Sequence, residues 1–251
     1  MSEISIAIPA HDRGENGPKW MRELLDTIRE QTFQDFNVVV SDQSKNDKIM
    51  DVCKEYAPYL EFVYVKYTGD VPCENINVAL ENCEGRIIKM MFSDDVFMRK
   101  DALERIKHEY DSTKCKWAFS GFANWDGEDY FDNKLPEWKE RTLEGNNHLS
   151  SPTVVSFLNE GRVDFDHNLK LLLDVDFYHR MRWKHGLPNI IPEVLVANRD
   201  QDDRISSDAT SQYDCVVEHS GGGWMMNSKE LRYVHQKYPQ FLINSKYPDE
   251  N

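Results

Sequence analysis

The chain has no excess of positive charge: 30 Lys and Arg stand against 44 Asp and Glu, a formal net charge of −14 over 251 residues. A protein that binds nucleic acid or anionic lipid needs clustered cations, so neither class is expected here. An anionic substrate would also meet a repulsive overall field, which a local metal or local cations must overcome. Cys53, Cys73, Cys83, Cys115 and Cys215 are odd in number and contain no Cys-x-x-Cys pair. That fits reduced thiols better than a disulfide frame or a zinc site, and points to a cytoplasmic location. No uncharged run is long enough to span a bilayer, and Met1-Ser2-Glu3-Ile4 enters a strand without a basic flank or apolar leader, so a soluble, unprocessed chain without a transmembrane segment is expected. There is no internal repeat, no low-complexity segment, and no Gly-rich basic loop after the first strand. Gly221-Gly222-Gly223 follows no evident strand, lacks the spacing of a dinucleotide or P-loop turn, and reads as a hinge.

What is present is alternation of strand-like and helix-like segments, the pattern of a mostly parallel sheet flanked by helices. Ile4 to Pro9 reads as a strand, and Pro18 sits well for a helix start, with Met21, Leu24, Leu25 and Ile28 spaced at i, i+3, i+4 and i+7. Strands follow at Phe36 to Ser41, Leu60 to Lys66 and Arg86 to Phe92, with helices at Asn46 to Tyr56 and Cys73 to Cys83 between them. Further on, Ala102 to Tyr110 reads as a helix, and Lys116 to Trp125 with Glu128 to Phe131 as a hairpin turning at Asp126-Gly127. Asn133 to Ser150 is a polar, substrate-facing loop candidate, Thr153 to Leu158 a strand, Leu169 to His185 a helix, and Ile190 to Ala197 the last core strand. Asn227 with Glu230 three residues on resembles a capping box for a final helix through Tyr238. This predicts an α/β domain over residues 1–206 and a C-terminal extension with a terminal helix over 207–251.

The strand Ile87-Ile88-Lys89-Met90-Met91-Phe92 runs into Ser93-Asp94-Asp95. Ligands in open α/β sheets sit beyond the carboxyl ends of strands, and adjacent carboxylates repel unless a hard cation such as Mg²⁺ or Mn²⁺ lies between them. Either Asp could instead cap a helix beginning near Arg99. Lys89, inside an apolar strand, either reaches a carboxylate of the site or snorkels to the surface.

Five segments in register resemble family 2 glycosyltransferases of the GT-A fold. They are Ser5-Ile6-Ala7-Ile8-Pro9-Ala10-His11-Asp12-Arg13, Val38-Val39-Val40-Ser41-Asp42-Gln43-Ser44, Glu74-Asn75-Ile76-Asn77-Val78-Ala79-Leu80, Phe92-Ser93-Asp94-Asp95 and Leu173-Asp174-Val175-Asp176-Phe177-Tyr178-His179-Arg180. The resemblance spans roughly residues 3 to 206. It implies a metal-dependent enzyme that moves a sugar from a nucleoside-diphosphate donor, UDP-sugar first, to a hydroxyl of a glycan or related acceptor, with inversion at the anomeric carbon.

The same resemblance implies roles. Pro9, Ala10, His11 and Arg13 line the nucleoside pocket, with His11 where the family usually has Tyr, unless it is simply an exposed loop histidine. Asp42 accepts the imide N–H of uracil or the N1–H of guanine, unless it merely starts the Asn46 helix, and Asn77 either holds the nucleotide loop or makes an ordinary buried hydrogen bond. Asp95 binds the metal, Asp94 contacts ribose or supports the metal through water, and Ser93 stands where the first Asp of Asp-x-Asp often sits. Asp174 is the general base, although Leu173 replaces the Glu that usually precedes it. Leu171, Leu172, Leu173, Val175 and Phe177 are expected to crowd Asp174 and raise its basicity. Asp176, about 200° further round the helix, pairs with Arg180. Gln201 stands where relatives often place a metal-holding His, which His219 could replace. Arg199 and Arg204 either meet the diphosphate or offset Asp200, Asp202 and Asp203. The competing functions are a nucleotidyltransferase of related topology and a non-catalytic sugar- or nucleotide-binding module.

Overall fold

The computed structural model describes residues 2–13, 15–139, 149–200, 216–220, 223–227 and 229–238. β1 (Ile4–Ala10) is buried along its whole length, as is β2 (Phe36–Asp42), because both faces of a parallel sheet are covered by helices. β1 pairs in parallel with β2 on one side and with β4 (Ile87–Met90) on the other, and β2 pairs in parallel with β3 (Phe62–Lys66). α1 (Gly17–Arg29), α2 (Lys48–Tyr56) and α3 (Pro72–Glu81) make the connections. In α1 the expected stripe of Met21, Leu24, Leu25 and Ile28 is buried, joined by Trp20. Strand order reverses at β1: the chain steps outward to β2 and β3, then returns to the opposite side as β4.

The start of α1 is packed under the loop that leaves β1. A side-chain carbon on Gly17 would lie 2.4 Å from the carbonyl oxygens of His11 and Asp12, while the Gly17 N–H donates to the Asp12 carbonyl at 2.8 Å. Only glycine permits this approach, and it holds the post-β1 loop close to the sheet.

The sheet continues with mixed pairing. β8 (Val155–Leu158) is antiparallel to both β4 and β6 (Trp117–Trp125), β6 is parallel to β9 (Asn189–Arg199), and the two-residue β5 (Val96–Phe97) is antiparallel to β9. The order of the main path is β3-β2-β1-β4-β8-β6-β9-β5, with β7 (Tyr130–Lys134) joined to β6. The β6–β7 turn forms as its Asp-Gly predicts: Asp126 Oδ1 accepts the N–H groups of Glu128 and Asp129, both at 2.8 Å, and Gly127 adopts φ 106°. α4 (Ala102–Thr113) follows β5, so a strand and a loop separate Asp94 and Asp95 from the helix. The alternative in which either Asp caps that helix is overturned.

α5 (Leu173–His185) begins four residues later than Leu169. The N–H groups of Lys170, Leu171 and Leu172 and the carbonyl of Leu169 are taken by tertiary partners, so this stretch is held out of the helix. α6 (Lys229–Lys237) is the expected terminal helix. β10 (Val216–Ser220) pairs antiparallel with β11 (Gly223–Asn227), Ser220 opposite Gly223, so a strand does precede the glycine run, while Gly221 and Gly222, on which the hinge reading falls, lie outside the described residues. Cys53, Cys73, Cys83 and Cys115 are free, and burial pushes the first three thiols up to about 12. Among the described residues no helix is long and apolar enough to cross a membrane.

Candidate functional site

β4 ends at Met90 because its last backbone donors are redirected. The Phe92 N–H goes to the Thr153 hydroxyl at 3.1 Å, and the Asp95 N–H closes a turn onto the Phe92 carbonyl at 3.1 Å. Ser93 and Asp94 are therefore the two central residues of a turn at the carboxyl end of β4, one strand from the point where strand order reverses. Asp94 is partly exposed, whereas Asp95 is only 4% exposed.

Asp95 is built inward. Its Oδ1 accepts the Arg199 N–H at 2.9 Å and its Oδ2 accepts the Thr153 hydroxyl. Burial and the Asp94 charge push its carboxyl well above the usual carboxylate range, against the Thr153 and Arg199 hydrogen bonds. Asp95 does not face solvent: both oxygens join three chain segments, the β4 turn, the Thr153 turn and the end of β9. Lys89 beneath it is fully buried, which overturns the snorkelling alternative. Its Nζ donates to the Thr153 carbonyl, and burial pushes the amine down to about 7, with Asp95 opposing.

Arg199 holds the acidic turn from behind. Its Nε donates to the Asp94 carbonyl at 3.0 Å, another guanidinium nitrogen pairs with Glu23, and the group lies 4.1 Å from the Trp125 ring centre and 5.4 Å from that of Trp20. Its charge is met by Glu23, so of the two expected roles for Arg199 the geometry favours charge compensation, with Glu23 as partner.

At the neighbouring strand ends, Pro9 and Ala10 are buried within β1, and the Ala10 carbonyl accepts the Gln43 N–H at 3.0 Å. His11 is half-exposed; its Nδ1 accepts the Arg13 N–H at 2.9 Å and stands 3.2 Å from Asp12, and Arg13 takes φ 41°. Asp42 is fully buried, accepting the Ser44 N–H at 2.8 Å, the Tyr64 hydroxyl at 2.6 Å and Lys66 Nζ at 2.9 Å. Asn75, which sequence reasoning passed over, stitches these ends together: its amide donates to the Ala10 carbonyl at 3.2 Å and accepts the Ser41 hydroxyl at 2.6 Å. The signal existed, because Asn75 lies four residues before Ala79 on the buried stripe of α3.

Asn77 faces another partner. Its Nδ2 donates to the Phe165 carbonyl at 2.9 Å and its Oδ1 accepts the Phe165 N–H at 2.6 Å, a two-point clamp on the backbone leading into α5. Asp174 lies in the first turn of α5, partly buried, with Oδ1 accepting the Val175 N–H at 2.7 Å. Leu172 and Val175 join Leu169 and Val234 in a small apolar cluster and Phe177 enters the main core, so the apolar neighbours of Asp174 divide between two cores. Asp176 is fully buried and accepts from Arg180 Nε at 2.7 Å, Lys237 Nζ at 2.7 Å and the Tyr238 hydroxyl at 2.8 Å.

The fold thus gathers Ser93, Asp94, Asp95 and Arg199 at one strand end and Pro9, Ala10, His11, Arg13 and Asp42 at the adjacent ones. Asn77 is in α3 and clamps the segment that leads into α5, where Asp174 lies. Gln201 and Arg204 lie outside the described residues, and His219 is in β10 opposite Trp224. Among the described residues no three metal-ligating side chains cluster. The donor set fits a hard cation that takes one or two carboxylates and completes its shell with diphosphate and water.

The model of the family described as Glycosyl transferase family 2 matches residues 5–162. An uncharacterized glycosyltransferase of Rickettsia prowazekii is 25% identical over 95 residues, 38% of this chain and 28% of that protein. The crystal structure of S. aureus TarS residues 1–349 in complex with UDP-GlcNAc is similar with a TM-score of 0.70 and 16% identity, covering 96% of this chain and 67% of that one. A mannosyltransferase from Pyrobaculum calidifontis in complex with GDP-Man and Mn²⁺ is similar with a TM-score of 0.56 and 17% identity, covering 83% of this chain and 59% of that one. The chain spans 28% of the length of the curated relatives it matches. The architecture is that of these solved glycosyltransferases: a curled, mostly parallel sheet flanked by helices, as the five motifs predict.

Proposed function

The chain belongs to glycosyl transferase family 2, and we propose that it is an inverting transferase that moves a sugar from a nucleoside diphosphate, uridine first, to a hydroxyl of a glycan or related acceptor. The observation that carries the reading is the partly exposed Asp94 in a turn at the carboxyl end of β4, beside the reversal of strand order at β1. UDP-GlcNAc bound to TarS and GDP-Man with Mn²⁺ bound to the mannosyltransferase support a nucleotide-sugar donor.

The loop Pro9, Ala10, His11 and Arg13 borders the nucleoside, with Asp42 as the buried floor. A base imide would bond Asp42 Oδ1, which accepts the Ser44 N–H alone, while Oδ2 is taken by Tyr64 and Lys66. A divalent cation, Mn²⁺ or Mg²⁺, held by Asp94 together with the donor diphosphate would neutralise charge on the leaving group. Asp95 keeps the turn in place from behind, through Thr153 and Arg199. Asp174 receives the proton of the acceptor hydroxyl as that oxygen bonds to the anomeric carbon and the carbon–oxygen bond to the β-phosphate breaks. One displacement inverts the configuration and releases the nucleoside diphosphate. Transfer takes place in the cytoplasm.

Leu173 in place of the supporting Glu favours a second reading, a module that binds nucleotide-sugar without turning it over. Incubation of the chain with UDP-sugar and Mn²⁺ decides. Release of UDP, slow into water and faster with an acceptor, supports the transferase; binding without release supports the module. Pyrophosphate release from UTP and a sugar phosphate would make it a nucleotidyltransferase.

A further inference from the structure

α5 starts without a capping side chain of its own: its N-cap residue is Leu172, which offers no acceptor. The turn that leads into it is held instead from 58 to 60 residues away, and of the donors held there only the Leu172 N–H belongs to the helix end. Glu230, in the first turn of α6, takes the N–H of Lys170 at 2.9 Å on one carboxylate oxygen and those of Leu171 and Leu172 at 2.9 and 3.0 Å on the other. Three successive backbone donors converging on one carboxylate form an anion nest, which α6 fills from within the chain. The capping-box role expected for Glu230 at its own helix is therefore corrected; it works across the interface.

The rest of α6 reinforces the contact. Val234 completes the apolar cluster of Leu169, Leu172 and Val175, with Tyr233 and Tyr238 packed around it. Lys237 bridges Asp166 at 2.6 Å and the buried Asp176 at 2.7 Å, Tyr233 donates to Asp166 at 2.9 Å, and Tyr238 donates to Asp176 at 2.8 Å. The partners of α6 run from Asp166 to Asp176, and Asp174 lies inside that span.

We propose that the terminal helix is part of the catalytic apparatus, with Glu230 a positioning residue that anchors the turn entering the helix bearing Asp174 and so fixes where that carboxylate points. The inference rests on the reading of Asp174 as the proton acceptor. It makes α6 and the core one functional unit.

The test is a double-substitution cycle on the full chain, measuring UDP release with acceptor, donor KM and melting temperature. Glu230→Gln keeps the shape but weakens the acceptor for three donors. Its kcat should fall at least about tenfold with donor KM within about twofold, because the nest serves the acceptor side. In an Asp174→Asn background, Glu230→Gln should cause no further loss, since a positioning residue acts only through the group it positions. Near-normal kcat for Glu230→Gln beside an inactive Asp174→Asn overturns the proposal, as does a loss that multiplies independently in the double variant. Full turnover in Asp174→Asn is a separate result: it removes Asp174 from the chemistry and this inference with it. If Glu230→Gln fails to fold, amide exchange in the unmodified chain decides. Slow exchange at Lys170, Leu171 and Leu172 is expected, and exchange at unprotected rates would contradict the anchor.

Discussion

Replacing Asp95 with alanine strands two buried donors, the Thr153 hydroxyl and the Arg199 N–H. Each costs about 1–3 kcal/mol, and relief of a desolvated carboxyl returns part of that, so a net loss of about 2 kcal/mol, roughly 4–8 °C in Tm, is expected. Asp94→Ala, at the accessible position of the turn, should melt within about 2 °C of the parent yet lose Mn²⁺-dependent nucleotide binding. Equal melting temperatures for the two variants would refute this division of labour. Lys89→Met tests the base of the same cluster. Its amine titrates near 7 in the folded chain against about 10.5 unfolded, so between those values the unfolded state binds more protons and the lysine's cost to stability shrinks as pH rises. Between pH 7 and 10 the parent should gain stability relative to Lys89→Met; a flat difference would show that the amine is not buried. The acidic pair was visible as two adjacent letters, but which of them faces inward depends on Thr153 and the end of β9, 58 and 104 residues further along the chain.

Among the elements, the Asn77 clamp separates structural from ligand roles. Asn77→Ala leaves the Phe165 N–H and carbonyl unpaired, a cost of about 1–3 kcal/mol, and should leave donor Kd within about twofold. A tenfold loss of donor affinity with unchanged Tm would return Asn77 to the nucleotide loop that the motif implies. Most elements were legible because buried strands and amphipathic helices write their period into the chain, as in β1, α1 and the Asp126-Gly127 hairpin. The exceptions share a cause. α5 starts later than its pattern predicts because Leu169 to Leu172 continue the apolar pattern while their backbone groups are claimed by Cys73 and Glu230. Glu230 sat at capping-box spacing yet spends its carboxylate on another helix.

Across the whole molecule, the order of motifs along the chain predicts the family and the curled sheet. Identity of the sugar and acceptor rests on loops with no motif to read. With a net charge of −14, the anionic donor proposed here needs its charge neutralised locally, and the proposal puts that at the acidic turn. The most direct test of the account is therefore the melting temperature of the parent and of Asp94→Ala across a panel of nucleoside diphosphates, each with and without Mn²⁺. At about 100 times its dissociation constant, a bound ligand adds about 2.7 kcal/mol. UDP with Mn²⁺ should raise the parent's Tm by several degrees, UDP alone by much less, and neither should move Asp94→Ala. A parent that no nucleoside diphosphate stabilises in the presence of Mn²⁺, or an Asp94→Ala variant that responds as the parent does, would contradict it.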